Sequence, residues 1–166
     1  VGTGTRFLIS LPLTLAIQKS LLCEIGGTLF AIPLESVTEI VTVNVDSLHS
    51  VRGQVVLNLR NKVIPVKRFD EVFRNSRSLS LAADPLRRTL VILGADDRYM
   101  AVEVNRVFGE EDIVIKSLSR NMGDIHGVSG ASILGNGKIA LILDAAAILR
   151  MGDADDGEVN HVDVAV

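Results

Sequence analysis

The sequence predicts an all-β fold made of two similar small lobes, and two observations lead to this prediction. Short β-branched runs are separated by glycine, asparagine and aspartate along most of the chain, which is typical of strands joined by tight turns. The same pattern of runs occurs twice. A length of 166 residues permits one domain with a good core, or two lobes that share one. The composition, 48% apolar and 22% charged, is typical of a folded protein.

The first half of the chain predicts two hairpins with a further strand between them. Its β-branched runs are residues 21–25, 28–33, 38–45, 54–59 and 62–66. Gly26-Gly27 joins the first two runs, because glycine accepts the positive φ of a two-residue hairpin turn. Arg60-Asn61 forms the corresponding tight turn of the second hairpin, since asparagine also tolerates positive φ.

A short helical turn and a polar connection are predicted after this half. Phe69, Val72 and Phe73 recur at i, i+3 and i+4, a spacing that suits one turn of helix docking on a sheet. Residues 75–85 are polar and contain three serines and one proline, so we expect a connecting loop there.

The second half repeats the hairpin pattern. Its predicted strands are residues 88–93, 98–104, 112–115, 131–134 and 138–143. Residues 95–97 form the turn of the first hairpin, and Gly135-Asn136-Gly137 forms the turn of the second. Residues 119–130 are rich in glycine, serine and asparagine and are predicted as a loop. Residues 145–151 form a short alanine-rich helix, and the acidic residues 152–166 form a disordered tail.

The internal repeat can be stated as a residue offset. Residues 62–66 resemble residues 138–142, an offset of 138 − 62 = 76, and the same offset brings Val72-Phe73 onto Ile148-Leu149. Upstream, residues 30–32 resemble residues 99–101. Each lobe alone would have a marginal core, so we expect the two lobes to pack together. A single irregular β-sandwich with hairpins that are alike by chance is the alternative.

Residue patterns for catalysis or metal binding are weak. His49, His126 and His161 have no cysteine or carboxylate at metal-ligand spacing, and they are interpreted as loop histidines. Cys23 lies among apolar strand residues without a nearby cation, which indicates a structural thiol. The carboxylates of residues 110–112 are interpreted as a solvated turn. We therefore predict no catalytic, cofactor-binding or metal-binding residues.

Charge and hydropathy argue against two classes of partner. The net charge is −3, aromatic residues make up 4% and tryptophan is absent, so no nucleic-acid surface is predicted. Residues 7–17 form the best apolar run, but it contains Pro12 and is too short to span a bilayer, so no membrane insertion is expected. The chain starts at Val1, and we expect it to be part of a longer protein. Its single cysteine fits a reducing cytoplasm.

Several stretches together resemble one known family. They are residues 4–17 (GTRFLISLPLTLAI), 30–33 (FAIP), 63–66 (VIPV), 109–116 (GEEDIVIK) and 128–144 (VSGASILGNGKIALILD). The chain resembles the CheW-like regulatory domain at the C-terminus of chemotaxis histidine kinases of the CheA type. Residues 4–17 look like the strand that closes the kinase's ATP-binding domain and the lead into the regulatory domain.

The resemblance implies an architecture and domain limits. Such domains consist of two SH3-like five-stranded barrels packed around a shared core, with short helical turns. Residues 1–17 would be the end of the kinase domain and a linker, and residues 18–151 the CheW-like domain. Within it the lobes would span about residues 18–80 and 86–151, and residues 152–166 would be the tail.

The resemblance also implies a function. Members of the family bind the coupling protein CheW and the cytoplasmic tips of chemoreceptors, and they control autophosphorylation of the kinase. ATP and Mg²⁺ would belong to the parent protein, so this chain alone should need no cofactor and transfer no phosphate. A cytoplasmic location, with recruitment to receptor arrays at the inner membrane, follows from the same resemblance.

Apolar strand residues at a lobe end are the candidate partner surface, namely Val43, Val45, Leu48 and Val51, which precede the turn at Gly53. Ordinary core is the alternative interpretation of these four residues.

Three other functions remain open. A free-standing CheW-type adaptor is the first, although residues 4–17 favour the kinase-derived domain over it. An SH3-like or OB-like nucleic-acid binder and an unrecognised hydrolase are the others, and charge and the lack of a nucleophile motif disfavour them.

Overall fold

A computed structural model describes residues 17–68, 84–115 and 127–155, together with Gly2 and Gly4. Most of the stretch at residues 4–17 that resembles the kinase's closing strand, the predicted helical turn at 69–73 and the tail beyond residue 155 lie outside the described residues. So do most of the loops predicted at residues 75–85 and 119–130.

The described part of the chain contains eleven strands and one α-helix. In chain order these are β1 (Ile17–Ile25), β2 (Thr28–Pro33), β3 (Val37–Asn44), β4 (Leu48–Val51), β5 (Gln54–Leu59), β6 (Lys62–Lys67), β7 (Arg87–Ala95), β8 (Arg98–Val104), β9 (Arg106–Val114), β10 (Val128–Ile133), β11 (Ile139–Leu143) and α1 (Ala145–Asp155). Single 3₁₀ turns at Leu34–Ser36 and Val45–Ser47 join β2 to β3 and β3 to β4. The all-β prediction is confirmed.

The strands form two sheets. Sheet 1 has five strands in the order β10-β11-β2-β1-β9, and sheet 2 has six in the order β3-β7-β8-β6-β5-β4. In sheet 1 the outer strands β9 and β10 also contact each other, so the sheet curls toward a barrel. Two small β-barrels of the SH3-like kind, as the resemblance implies, account for this arrangement.

The sheets exchange strands between the two halves of the chain. The β1–β2 hairpin of the first half is flanked by β9, β10 and β11 of the second, and the β7–β8 hairpin is flanked by β3 to β6 of the first half. The hydrogen-bonded sheets thus divide the chain differently from the two successive lobes that the repeat was expected to form. The limits assigned to domain, linker and tail stay predictions.

The repeat is visible in the strand register. In sheet 1 Ile142 pairs in parallel with Ala31, and in sheet 2 Val66 pairs in parallel with Ala101. The offset between β6 and β11 is therefore 142 − 66 = 76, as predicted. The offset between the hairpins is 101 − 31 = 70. The predicted alignment of residues 30–32 with residues 99–101, an offset of 69, was wrong by one residue.

The one-residue error has a physical meaning. Side chains alternate between the two faces of a strand, so a shift of one residue would exchange interior and exterior positions. The shared aromatic character of Phe30 and Tyr99 favoured the wrong alignment, whereas the structure makes Phe30 equivalent to Met100, and both are fully buried.

Both halves also carry an equivalent β-bulge. The register of β3 against β7 shifts between Val37 and Glu39, and that of β9 against β1 shifts between Val107 and Gly109. The bulged residues, Thr38 and Phe108, are again 70 positions apart. A shared bulge at a matching position indicates that the halves are alike in backbone as well as in sequence.

Three apolar clusters hold the sheets together. The largest lies between the sheets and combines residues of β1 and β2, such as Cys23 and Phe30, with residues of β7 and β8, such as Leu93, and with Ile148 of α1. The second fills the interior of the sheet 1 barrel, and the third fills the interior of the sheet 2 barrel. The expectation of a shared core is confirmed.

Five elements differ by more than two residues from the sequence prediction. Strand β1 begins at Ile17 instead of residue 21, and β10 begins at Val128, within the loop predicted at residues 119–130. Strand β4 was missed, because four residues without clear alternation give little signal. Residues 110–112 lie within β9 rather than in a turn; they are solvent-exposed, which a strand at the edge of a sheet permits. The helix continues to Asp155 instead of ending at Met151, where the predicted tail would begin.

Candidate partner-binding surface

Chemically reactive groups are sparse in the described part of the chain. Among the described residues, no three His, Cys, Asp or Glu side chains lie close enough to hold a metal ion. His49 is exposed on β4, whereas His126 and His161 lie outside the described residues.

Among the titratable groups in the described part of the chain, Cys23 has the most strongly shifted pKa. Its side chain is fully buried in the cluster between the sheets. Desolvation raises the pKa of this thiol to about 12, so the nucleophilic thiolate is not formed near neutral pH. The structure thus places this cysteine in the core, where the sequence interpretation put it.

The four predicted partner residues have different environments. Val43 and Leu48 are partly buried and pack against the interior cluster of the sheet 2 barrel. Val45 is partly buried as well, and its N–H donates to the carbonyl oxygen of Leu86 over 2.9 Å. Val51 differs from them, because 52% of it is exposed at the end of edge strand β4.

Other apolar side chains reach the surface at the hairpins. Ile133 and Ile139 are directly opposite each other on β10 and β11, with 60% and 64% of their surfaces exposed. Val63 occupies on β6 the position equivalent to Ile139 and is 67% exposed. The sequence predicts these residues only as members of hairpin strands. Successive side chains of a strand point to opposite faces, so Val63 and Ile139 point away from the face of buried Ile64 and Ala140. This alternation is the sequence signal that identifies Val63 and Ile139 as exposed.

Charged side chains around the sheet 2 barrel are engaged with neighbours. Arg60, in the β5–β6 turn, forms a salt bridge of 3.1 Å with Glu39 on β3. The ammonium group of Lys62 lies 4.0 Å from the centre of the Tyr99 ring. Both contacts tie β6 or its turn to other strands of the same sheet. Val63 therefore lies on a hairpin that is braced against other strands of sheet 2, and Val51 lies on β4, which pairs with that hairpin.

No helix in the described ranges has both the length and the apolar character needed to cross a membrane. The two sheets, which exchange strands between the halves of the chain, define the class of protein as all-β, and the exposed apolar strand residues are candidates for contact with a partner.

Comparison with known proteins specifies this class. The family described as CheW-like domain matches residues 19–153. The chain is 38% identical over 151 residues to the sensor histidine kinase CheAY of Helicobacter pylori, and 38% identical over 152 residues to the chemotaxis protein CheA of Treponema pallidum. It is 34% identical over 148 residues to CheA of Salmonella typhimurium. The chain belongs to the CheW-like domain family and is similar to the regulatory domains of CheA-type kinases.

The matches cover most of this chain but a minor part of the kinases. They span 91%, 92% and 89% of the chain, and 18%, 18% and 22% of the three relatives. The chain thus spans about a fifth of the length of the kinases it matches.

A solved structure supports the fold. The scaffolding protein TtCheW of Thermoanaerobacter tengcongensis superposes with a TM-score of 0.63 over 77% of this chain and 89% of its own chain, at 19% identity. A CheW-like domain of this kind is a coupling and docking module.

Proposed function

We propose that this chain is the regulatory and docking domain of a CheA-type histidine kinase. In this role it binds a CheW-type coupling protein and the cytoplasmic tips of chemoreceptors, and it controls autophosphorylation of the kinase. One observation carries the proposal. The alignments with the kinases cover 151 and 152 residues, whereas the CheW-like match covers 153 − 19 + 1 = 135. The similarity to the kinases therefore extends beyond the docking domain itself.

A docking domain controls a kinase through differential binding. Receptors and coupling protein bias the kinase only if their contacts with this domain differ between its active and inactive states. Residues 1–16 lead into β1, which lies between β2 and β9 in sheet 1. A change at the surface of the domain would reach the kinase along this strand.

The parent protein would supply the phosphoryl chemistry, with ATP and Mg²⁺ bound outside this chain. It would act in the cytoplasm and be recruited to receptor arrays at the inner membrane. Incubation of the isolated chain with radiolabelled ATP and Mg²⁺ tests the division of labour. We expect no incorporation of label and no ATP turnover above a buffer control, and measurable turnover would refute the proposal.

The end of the sheet 2 barrel around β4 is the proposed contact for the coupling protein. Val51 would make the contact, because it is the exposed member of the predicted set. Val43, Val45 and Leu48 would support the surface from below, since they are partly buried. Apolar anchors at the centre of an interface carry most of the binding free energy.

Isothermal titration with the CheW-type coupling protein of the same organism tests this surface. A Val51→Asp substitution should raise Kd at least about tenfold, because it places a charge in an apolar contact. Ile139→Asp is the matched control, since Ile139 is also an exposed strand residue but belongs to the other barrel. Equal affinity of the wild type and Val51→Asp would exclude the β4 surface, and absence of binding by the wild type would refute the docking function.

A free-standing CheW-type adaptor is the alternative, and TtCheW is a scaffolding protein with the same fold. The coding sequence upstream of Val1 distinguishes the two. ATP-binding boxes of a histidine kinase are expected there, whereas a start codon directly upstream would favour the adaptor.

A further inference from the structure

The two barrels are alike in backbone but differ in what fills them. Equivalent residues of the two barrels are 70 positions apart on the β1–β2 and β7–β8 hairpins, 75 apart on β5 and β10, and 76 apart on β6 and β11. In the sheet 2 barrel, Leu57 pairs with Ile64, and both are buried. The corresponding pair in the sheet 1 barrel is Ser132 and Ala140. An aliphatic pair is thus replaced by a hydroxyl and a methyl group.

A second replacement lies on the central hairpins. Leu90 of β7 is opposite Glu103, and its equivalent on β1 is Ser20, which is opposite Pro33. Leu90 is fully buried within the interior cluster of the sheet 2 barrel. Ser20 is 1% exposed and Ser132 is 2% exposed, so neither hydroxyl reaches solvent. The two serines stand where the other barrel has leucines.

The serine hydroxyls carry a further cost. Neither Ser20 Oγ nor Ser132 Oγ has a hydrogen-bond partner among residues 17–68, 84–115 and 127–155. A buried polar group without a partner loses its hydration without compensation, and that loss is recovered when the structure opens to water. Reduced apolar packing also weakens a core. Among the described residues, sheet 2 also has one unpartnered buried polar atom, Gln54 Nε2 on β5, whereas the sheet 1 barrel has two, at positions where sheet 2 has buried leucines. These differences favour opening of the sheet 1 barrel.

We infer that the sheet 1 barrel is the part of this domain that opens locally, while the sheet 2 barrel stays closed. Opening exposes Ser20 and Ser132 to water and separates the β10–β11 hairpin from β2, to which two residue pairs join it, the same number that joins β6 to β8 in sheet 2. The barrel that opens contains β1, into which residues 1–16 lead. The inference does not depend on the proposed partner, since it rests on the two interiors alone.

Hydrogen exchange of the full chain, read by NMR, tests this inference with an internal control. Strands β11 and β6 are equivalent, and each lies inside its sheet with one parallel neighbour. Amides of β11 should exchange at least about tenfold faster than those of β6, because local opening precedes global unfolding. Equal protection of the two strands, or slower exchange in β11, would overturn the inference.

Two substitutions test whether the buried hydroxyl, and not another feature of β10, causes the faster exchange. Ser132→Ala removes the unpartnered hydroxyl, so it should slow exchange in β11 at least about fivefold and leave β6 unchanged. Ser129→Ala, on the same strand, is the control, because Ser129 Oγ already donates to the carbonyl oxygen of Ile142 over 3.4 Å. If both variants exchange like the wild type, the buried hydroxyls do not govern opening and the inference fails.

Discussion

At the scale of single residues, the bulge at Thr38 leaves no room for a side chain at position 94. Gly94 lies on β7 opposite Tyr99. A Cβ atom at this position would lie 2.5 Å from Thr38 Oγ1 and 3.2 Å from the Tyr99 ring. A side chain at position 94 would therefore displace the side chains of Thr38 and Tyr99, whereas the φ of Gly94 is ordinary.

A Gly94→Ala substitution should destabilise the domain by about 1–3 kcal/mol, because the side chains of Thr38 and Tyr99 must shift to admit the methyl group. Combining it with Thr38→Ala should recover part of the loss, since one of the two clashing groups is removed. Urea unfolding followed by fluorescence of Tyr99 or by circular dichroism measures both. Gly135→Ala is the control, as no atom lies within 4 Å of its added Cβ. Equal stabilities of Gly94→Ala and Gly135→Ala would contradict this account.

Cys23 gives the stability of the domain a dependence on alkaline pH. Burial raises the pKa of this thiol from 9.0 to about 12, so the folded chain retains a proton that the unfolded chain releases above pH 9. The unfolded state then binds fewer protons, and the free energy of unfolding falls as pH rises from about 9 toward 12. Below pH 9 this contribution is fully present.

The alkaline loss should be smaller in Cys23→Ala. Both proteins would be unfolded in urea at several pH values between 7 and 11, and the slopes of stability against pH compared. The variant is less stable at every pH, because it leaves a cavity, but its curve should be flatter above pH 9. Parallel curves would show that the thiol does not contribute.

At the scale of elements, one side chain fastens the junction of the two sheets. Asn105 lies between β8 of sheet 2 and β9 of sheet 1. Its Oδ1 accepts a hydrogen bond of 2.6 Å from the N–H of Gly26, in the β1–β2 turn. Its own N–H donates to the carbonyl oxygen of Glu24 over 2.8 Å. The chain passes from sheet 2 to sheet 1 at Asn105, and these two hydrogen bonds hold this crossing against the β1–β2 hairpin.

Asn105→Ala should cost about 1–2 kcal/mol, because the part-buried N–H of Gly26 loses its acceptor. Asn105→Asp should retain stability, since a carboxylate oxygen accepts the same hydrogen bond. Thermal unfolding measures both, and Asn58→Ala is the control, because Asn58 is an exposed residue of β5. A stable Asn105→Ala variant would show that the junction does not need the side chain.

The elements also show what the sequence could reveal and what it could not. Hairpins with strong turns were predicted, because Asn61 and Gly27 adopt the positive φ that their residue types favour. Strand β9 was predicted too short, since its charged residues at positions 110–112 hide the alternation of an edge strand. The exchange of strands between halves was not predicted. It depends on which edges pair across the chain, and local patterns contain no information on this.

The candidate surface was predictable only in part. The sequence identified an apolar strand end, but it could not separate Val51, which is exposed, from Val43 and Leu48, which pack on the interior cluster. Alternation alone does not tell which face of a short strand is covered, because the covering residues are distant in sequence.

At the scale of the whole molecule, the cluster between the sheets joins the two barrels. Leu93 is fully buried in it, alongside residues of both hairpins and α1. Leu93→Ala should cost about 2–5 kcal/mol and reduce hydrogen-exchange protection in both sheets. Val63→Ala is the control, because Val63 is 67% exposed and its loss should be small. Loss of protection in sheet 2 alone would show that the barrels fold independently.

Under the proposed function, the β4 end of the sheet 2 barrel is the surface on which the coupling protein docks. The most direct test of this central claim is an NMR titration of the isotopically labelled chain with the unlabelled CheW-type coupling protein of the same organism. Saturable changes are expected at exposed residues around β4, with Val51 among them, while signals of the cluster between the sheets keep their positions. No change at saturating partner, or changes spread through the core, would contradict the account.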